Sequence, residues 1–162
     1  MAAVDYFLKL EGIEGESADS KHKGSIDIHS FSWGATNSGT GAFGGGSGAG
    51  KVSMQDFHFT MLMNKATPKL MLMCATGEHI KKAVLTCRKA GKEQQEYLVI
   101  KFFDCLVSGY NSSASEGGSV IPEESVSLNF SKVEFEYKPQ KADGTLDGPI
   151  GSKYDLKLNK SY

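Results

Sequence analysis

Gly39-Thr-Gly-Ala-Phe-Gly-Gly-Gly-Ser-Gly-Ala-Gly-Lys51 runs into Val52-Ser-Met-Gln-Asp-Phe-His-Phe-Thr-Met-Leu-Met63, and the junction decides the fold. Gly39, Gly41 and Gly44 fit G-x-G-x-x-G, while Gly45, Gly50 and Lys51 fit G-x-x-x-x-G-K. A phosphate loop of either kind must open a helix, whose first N–H groups and dipole hold the anion. The residues after Lys51 instead alternate: Val52, Met54, Phe57, Phe59, Met61 and Met63 are apolar, with Ser53, His58 and Thr60 between them. That period of two marks a half-buried strand. Val52 also stands where a P-loop needs a hydroxyl for magnesium. Each glycine loses extra backbone freedom on ordering, and Phe43 is the lone aromatic among them. The stretch therefore reads as a hairpin loop, floppy on its own or ordered against a partner with Phe43 as anchor.

Working outward, strand patterns dominate. Val4, Tyr6, Leu8 and Leu10 alternate with Asp5 and Lys9, and Ile26 and Ile28 begin a segment running through Phe31 and Trp33 to Gly34. Lys82 to Ala90 and Glu96 to Tyr110 form a pair joined by a turn around Gly91-Lys92-Glu93; the second is nearly continuous apolar, which implies burial on both faces. The apolar phase slips near Gln55–Asp56 and again near Ser131–Lys132, between the set Val126, Leu128, Phe130 and the set Val133, Phe135, Tyr137. Two slips suit a strongly bent or barrel-like sheet. Tyr154, Leu156 and Leu158 predict a short closing strand. One helix is expected, capped by Thr67, opened by Pro68 and stopped by Gly77, with Leu70, Met71 and Cys74 on one face against the core.

The 162 residues suit one domain, which buries about two-thirds of its unfolded surface. With 18 Lys and Arg against 19 Asp and Glu, no basic face for nucleic acid is expected. No apolar run reaches membrane-spanning length, and Met1 to Leu10 is too short and too acidic for a signal peptide. Cys74, Cys87 and Cys105 are an odd, widely spaced set and read as buried free thiols.

No reaction centre emerges. His22, His29, His58 and His79 show no zinc-ligand spacing. Asp27 shares a strand face with His29 and Asp56 with His58, so each pair is placed to orient an imidazole or to form a plain polar face. No G-x-S-x-G elbow surrounds any serine. Glu123 and Glu124 at a strand entrance, like Glu14, Glu16 and Asp19, read as solvated carboxylates.

Several motifs fit one pattern in order and spacing: Gly15-Glu-Ser17, Ile26-Asp-Ile leading to Ser32-Trp-Gly34, and the glycine loop running into Lys51-Val and Gln55-Asp56. Lys65-Ala-Thr-Pro68, Leu85-Thr-Cys-Arg-Lys-Ala-Gly91, Val126-Ser-Leu-Asn-Phe130 and Pro139-Gln-Lys-Ala-Asp-Gly144 continue it. Over roughly residues 3–154 the chain closely resembles Hcp, the haemolysin-coregulated tube protein of bacterial type VI secretion. The resemblance implies one domain over residues 1–162, mainly β. By that resemblance the domain is expected to be a small barrel of two packed antiparallel sheets with one helix at its side and a long glycine-rich loop at about 39–50. It further implies a ring of six that stacks into a hollow tube, without catalysis, cofactor or metal. The tube lies inside a contractile sheath, capped by a VgrG spike and built on a baseplate. By the same resemblance effector toxins are expected to ride in the lumen, and the protein to wait in the bacterial cytoplasm until firing secretes it.

On that footing Phe43, Gly44, Gly45, Gly46 and Lys51 are the expected ring-stacking contact. Ser32, which alternates with Phe31 and Trp33, is the expected lumen residue. Two alternatives stay open: a nucleotide-binding protein using the Gly39–Lys51 loop, and a monomeric ligand-binding β-sandwich.

Overall fold

The computed structural model describes residues 4–37, 52–89 and 94–162. The glycine stretch, with Phe43, Gly44, Gly45, Gly46 and Lys51, lies outside the described residues, as does the turn expected at 91–93. Twelve strands and one helix are described. They are β1 (Val4–Leu10), β2 (Ile26–Asp27), β3 (Ser30–Ser32), β4 (Ala35–Asn37), β5 (Val52–Met54), β6 (Phe57–Leu62) and α1 (Thr67–Thr76), then β7 (His79–Lys89), β8 (Glu96–Ser113), β9 (Glu123–Asn129), β10 (Lys132–Tyr137), β11 (Ile150–Asp155) and β12 (Lys160–Ser161). The protein is mainly β, with two antiparallel sheets. After the glycine stretch the chain re-enters as β5, a strand, as the alternation from Val52 requires.

The larger sheet folds into two layers because β8 belongs to both. One layer is β2-β1-β7-β8-β10-β11-β12; the other, β3-β6-β9, joins the far half of β8. Leu98 to Phe103 pair with β10, and Leu106 to Ser113 pair with β9. Between those halves Asp104 adopts φ 53°. The buried positions change phase there, from Ile100 and Phe102 to Cys105 and Val107. An irregular residue of this kind bends a strand and re-aims its side chains. The partner strand answers with the slip read from its sequence: β9 ends at Asn129, β10 starts at Lys132, and the Ser131 N–H donates to the Phe103 carbonyl at 3.1 Å.

Between the layers lies one cluster of buried side chains. Phe102 sits at its centre, 4.7 Å from the rings of both Phe57 and Phe130, and Trp33 meets its edge at 5.7 Å. Burying each such side chain contributes roughly 1.5–3 kcal/mol.

Several expectations need correction. The sheets do not close into a barrel. At the corner the Ile28 N–H donates to Tyr6 of one layer and the His29 N–H to Thr60 of the other, so β2 and β3 succeed each other along the chain and are not laddered side by side. The slip at Gln55–Asp56 is a passage between sheets, since β5 pairs with β4 and β6 with β3 and β9. Only one face of β8 packs into the core. On the other face Val99 and Phe103 are half-buried, and Phe103 has the ammonium groups of Lys82 and Lys132 at 5.8 and 5.6 Å from its ring.

In α1 the residue before the helix is Ala66, with no side-chain cap; the Thr67 hydroxyl is turned to Glu124 instead. Pro68 stands in the first turn and Gly77 ends the helix at φ 74°, both as expected. Leu70 and Met73 face the core, whereas Met71 is half-exposed, so the buried face is one position off the expected one. Tyr154 is in β11, but Leu158 is exposed in the turn beyond it. The three cysteines are free, Cys87 and Cys105 being fully buried. Burial pushes the Cys87 thiol up to about 12, so it stays protonated and inert.

Candidate functional site

Strand alternation gives the β3-β6-β9-β8 layer two unlike faces. Phe31, Phe57, Phe59, Met61, Val126 and Leu128 turn to the core, which leaves the residues between them outside. Register aligns those outer residues in rows. Ser32 lies opposite His58, His58 opposite Ser127, and Ser127 opposite Gly109. One step along, Ser30, Thr60, Ser125 and Asn111 form the next row. The Ser30 and Thr60 hydroxyls are 2.6 Å apart, and the Ser127 hydroxyl is 2.7 Å from His58 Nδ1. Asp56, at the margin, accepts from Ser108 at 2.5 Å and from Asn129 at 3.0 Å. These rows are built of hydroxyls, an amide and imidazole, and carry neither lysine nor arginine.

The other layer differs. Its outer face presents Lys82, Phe103, Lys132 and Glu134; Lys132 lies 4.7 Å from the Tyr162 ring, and the Tyr162 hydroxyl donates to Glu134 at 2.7 Å. Asp104 at the bend meets His79 at 2.8 Å and Lys157 at 3.0 Å, which hold its carboxyl below the usual range. One layer's outer rows are uncharged and short-chained, with the carboxylates of Asp56 and Glu123 at their two ends, whereas the other layer's outer face is charged and aromatic.

Ser32 is exposed on the neutral face, as its alternation with Phe31 and Trp33 predicts. Of the two readings of Asp56 and His58 the plain polar face holds: each takes a cross-strand hydroxyl or amide, because neighbours on adjacent strands lie closer than residues two apart on one strand. Two carboxylates read as solvated are otherwise engaged. Glu124 is buried and accepts the hydroxyls of Thr67 and Tyr110. Burial, with the Glu124 contact, raises the Tyr110 phenol above its ordinary range. Asp19 and Asp5 flank Arg88, whose guanidinium donates at 2.7 Å to the first and 2.9 Å to the second. The local signal for this cluster was an arginine inside an apolar strand.

The geometry defines a β protein with an apolar core, a neutral outer wall and no assembled reaction centre among the described residues. Residues 7–137 match the family model described as "Type VI secretion system effector, Hcp". The protein hcp1 of Pseudomonas aeruginosa is 46% identical over 159 residues, covering 97% of this chain and 98% of its own. Among solved structures, Hcp1 from Salmonella typhimurium aligns with TM-score 0.81 at 37% identity, over 99% of this chain and 100% of its own. A type six secretion system protein aligns with TM-score 0.91 at 31% identity, again over 99% and 100%. The chain belongs to the Hcp family of type VI secretion. That family consists of secreted structural tube proteins, not enzymes. No helix among the described residues is long and apolar enough to cross a membrane.

Proposed function

We propose that this chain assembles as a ring of six, that rings stack into the tube of a type VI secretion apparatus, and that the neutral face of β3-β6-β9-β8 lines the channel. The observation that carries this reading is that face itself. Hydroxyls and amides bond to any polar surface without selecting its charge, so a wall of them holds cargo weakly and lets it slide. Ser32 is the lumen contact in this scheme.

The edges support ring closure. Among the described residues β3 is laddered only to β6, and β8 beyond Leu106 only to β9. Unpaired edges are templates for another chain, and a head-to-tail contact between unlike edges closes into a ring. Stacked rings then form an open filament. Phe43, Gly44, Gly45, Gly46 and Lys51 make the stacking contact, ordering against the next ring; the ordering entropy lost there keeps it weak and reversible. The charged layer faces outward, towards sheath and baseplate proteins, with a VgrG spike at the tip and effector toxins in the lumen. Before firing the protein resides in the bacterial cytoplasm; firing secretes it.

Light scattering at micromolar concentration tests the ring. Six copies give about 100 kDa, whereas a particle of 17.5 kDa overturns the reading. Deleting residues 41–48 should leave the ring mass unchanged and abolish tubes seen by electron microscopy; undiminished tubes would remove the loop from the stacking contact.

A further inference from the structure

We propose that the free edge of β11, with the apolar cleft beside it, is a strand-docking site for an extended segment of another protein, one with apolar residues at every second position and carboxylates between them. The inference does not depend on the ring and tube reading above.

β11 is paired with β10 along its whole length, from Asp155 opposite Lys132 to Ile150 opposite Tyr137. On its far side, among the described residues, β12 pairs only with Tyr154 and Asp155. Ile150, Gly151, Ser152 and Lys153 are all exposed. The Leu156 N–H donates to the Ser131 carbonyl at 2.8 Å, and antiparallel ladders alternate from there. Ser152 and Tyr154 therefore turn their backbone groups to β10, while Gly151 and Lys153 turn theirs to the free side. Such an edge takes a further strand by main-chain hydrogen bonds, and alternate side chains of that strand fill pockets beside it.

One face of the edge supplies the pocket. Ile150, Ser152 and Tyr154 share that face with Tyr137, Phe135 and Val133. Ile150 is 64% exposed and Tyr137 42%, so this face is left uncovered towards the end of the strand. Trp33 and Met54 stand across from it and leave an open cleft of about 490 Å³, lined also by Val133, Phe135 and Tyr154. The Trp33 and Phe135 rings lie 6.1 Å apart. A strand laid along β11 puts every second side chain over this cleft.

The opposite face sets the charge. Register aligns Lys101, Glu134 and Lys153 in one row across β8, β10 and β11. The row alternates plus, minus, plus, and ends at the free edge. Among the described residues Lys153 is in no ion pair, and its ammonium lies 5.8 Å from the Tyr162 ring. A carboxylate opposite it continues the alternation, and cross-strand pairs of opposite charge are favourable. β10 shows the chemistry that fits: Val133, Phe135 and Tyr137 lie on its apolar face, and Glu134 lies opposite Lys153.

The full-length protein is titrated with a capped synthetic peptide copying residues 132–137, Lys-Val-Glu-Phe-Glu-Tyr, and the emission of Trp33, the single tryptophan, is followed. The change should be saturable and half-maximal below about 1 mM, with particle mass by light scattering unchanged. Lys153→Glu should weaken binding about fivefold at low salt, and a peptide with lysines in place of its glutamates should bind that variant to within about twofold of the original pair. N-methylating one alternate set of peptide amides should abolish binding, whereas methylating the other set leaves it, because only one set faces the edge. Absence of a saturable response overturns the proposal, as does an affinity unchanged by Lys153→Glu or an equal effect of both methylated sets. A peptide that lowers the particle mass shows that a second copy already holds this edge, and it also overturns the docking of a foreign segment.

Discussion

Arg88 is 3% exposed, and a guanidinium this buried needs partners on every side. Asp5 on β1 and Asp19 on the loop after it supply them, and the Phe7 ring lies 4.8 Å from its central carbon. His22 stacks on Phe7 at 4.3 Å and reaches Glu96 at 2.7 Å. The cluster thereby pins the 11–25 loop to β1, β7 and β8. The Arg88 hydrogen bonds hold the Asp19 carboxyl at about 2, below its ordinary value of 3.8. A depressed carboxylate contributes stability that is full above its unfolded value, so this contribution should be present above about pH 4 and fade as pH falls towards 2. Asp19→Asn should therefore lower the urea midpoint at pH 6 and flatten its decline between pH 4 and 2; a decline as steep as the parent's would contradict the assignment. Gly15, in the same loop, has a different constraint: a Cβ there would collide with the Ser25 carbonyl oxygen. Close backbone approach explains why the Gly15-Glu-Ser17 motif begins with glycine.

At the scale of elements, β8 organises the molecule. Its 18 residues span both layers, and the Asp104 bend lets a single apolar run serve two differently oriented packing surfaces. Periodicity announced the matching slip at Ser131–Lys132 because polar residues there interrupt the alternation. In β8 the near-continuous run Tyr97 to Val107 hid the change of phase, and only pairing with β9 and β10 reveals it. The helix illustrates a similar division. Pro68 and Gly77 are local signals and were legible; which face of α1 is buried depends on where β8 and Glu124 lie, and that turned Met71 outward. Gly77 holds a left-handed conformation, its N–H donates to the Met73 carbonyl at 2.9 Å, and a Cβ there would meet no neighbour within 4 Å. Gly77→Ala should thus cost only the backbone penalty, about 1 kcal/mol, read as a lowered urea midpoint with unchanged ring mass. No loss of stability would mean that the helix end is not held in that conformation.

At the scale of the whole molecule, the two layers divide the roles. Their inner faces share one core, and their outer faces differ in kind: hydroxyls and amides on one, lysines, carboxylates and aromatic rings on the other. A channel wall and an outer casing call for that asymmetry. Ser32 sits on the neutral wall beside His58, so Ser32→Trp should leave the ring intact and cut co-purification of lumen cargo about tenfold, equivalent to about 1.4 kcal/mol. Pull-down of a cargo toxin measures it. Dissociated rings would move Ser32 into the lateral contact, and undiminished capture would remove it from the wall.

Sequence alone determined the β class, the strand after Lys51, the helix boundaries at Pro68 and Gly77, the free thiols and the family, because each rests on local chemistry or on motifs in register. Tertiary structure alone decided that the sheet stays open, that Asp19 and Glu124 are engaged, and that Ser30, Ser32, His58, Thr60, Ser125 and Ser127 share one wall. The physical reason is distance along the chain. Alternation says that a residue faces away from its neighbours, but strands far apart in sequence must pair before facing away becomes a common surface.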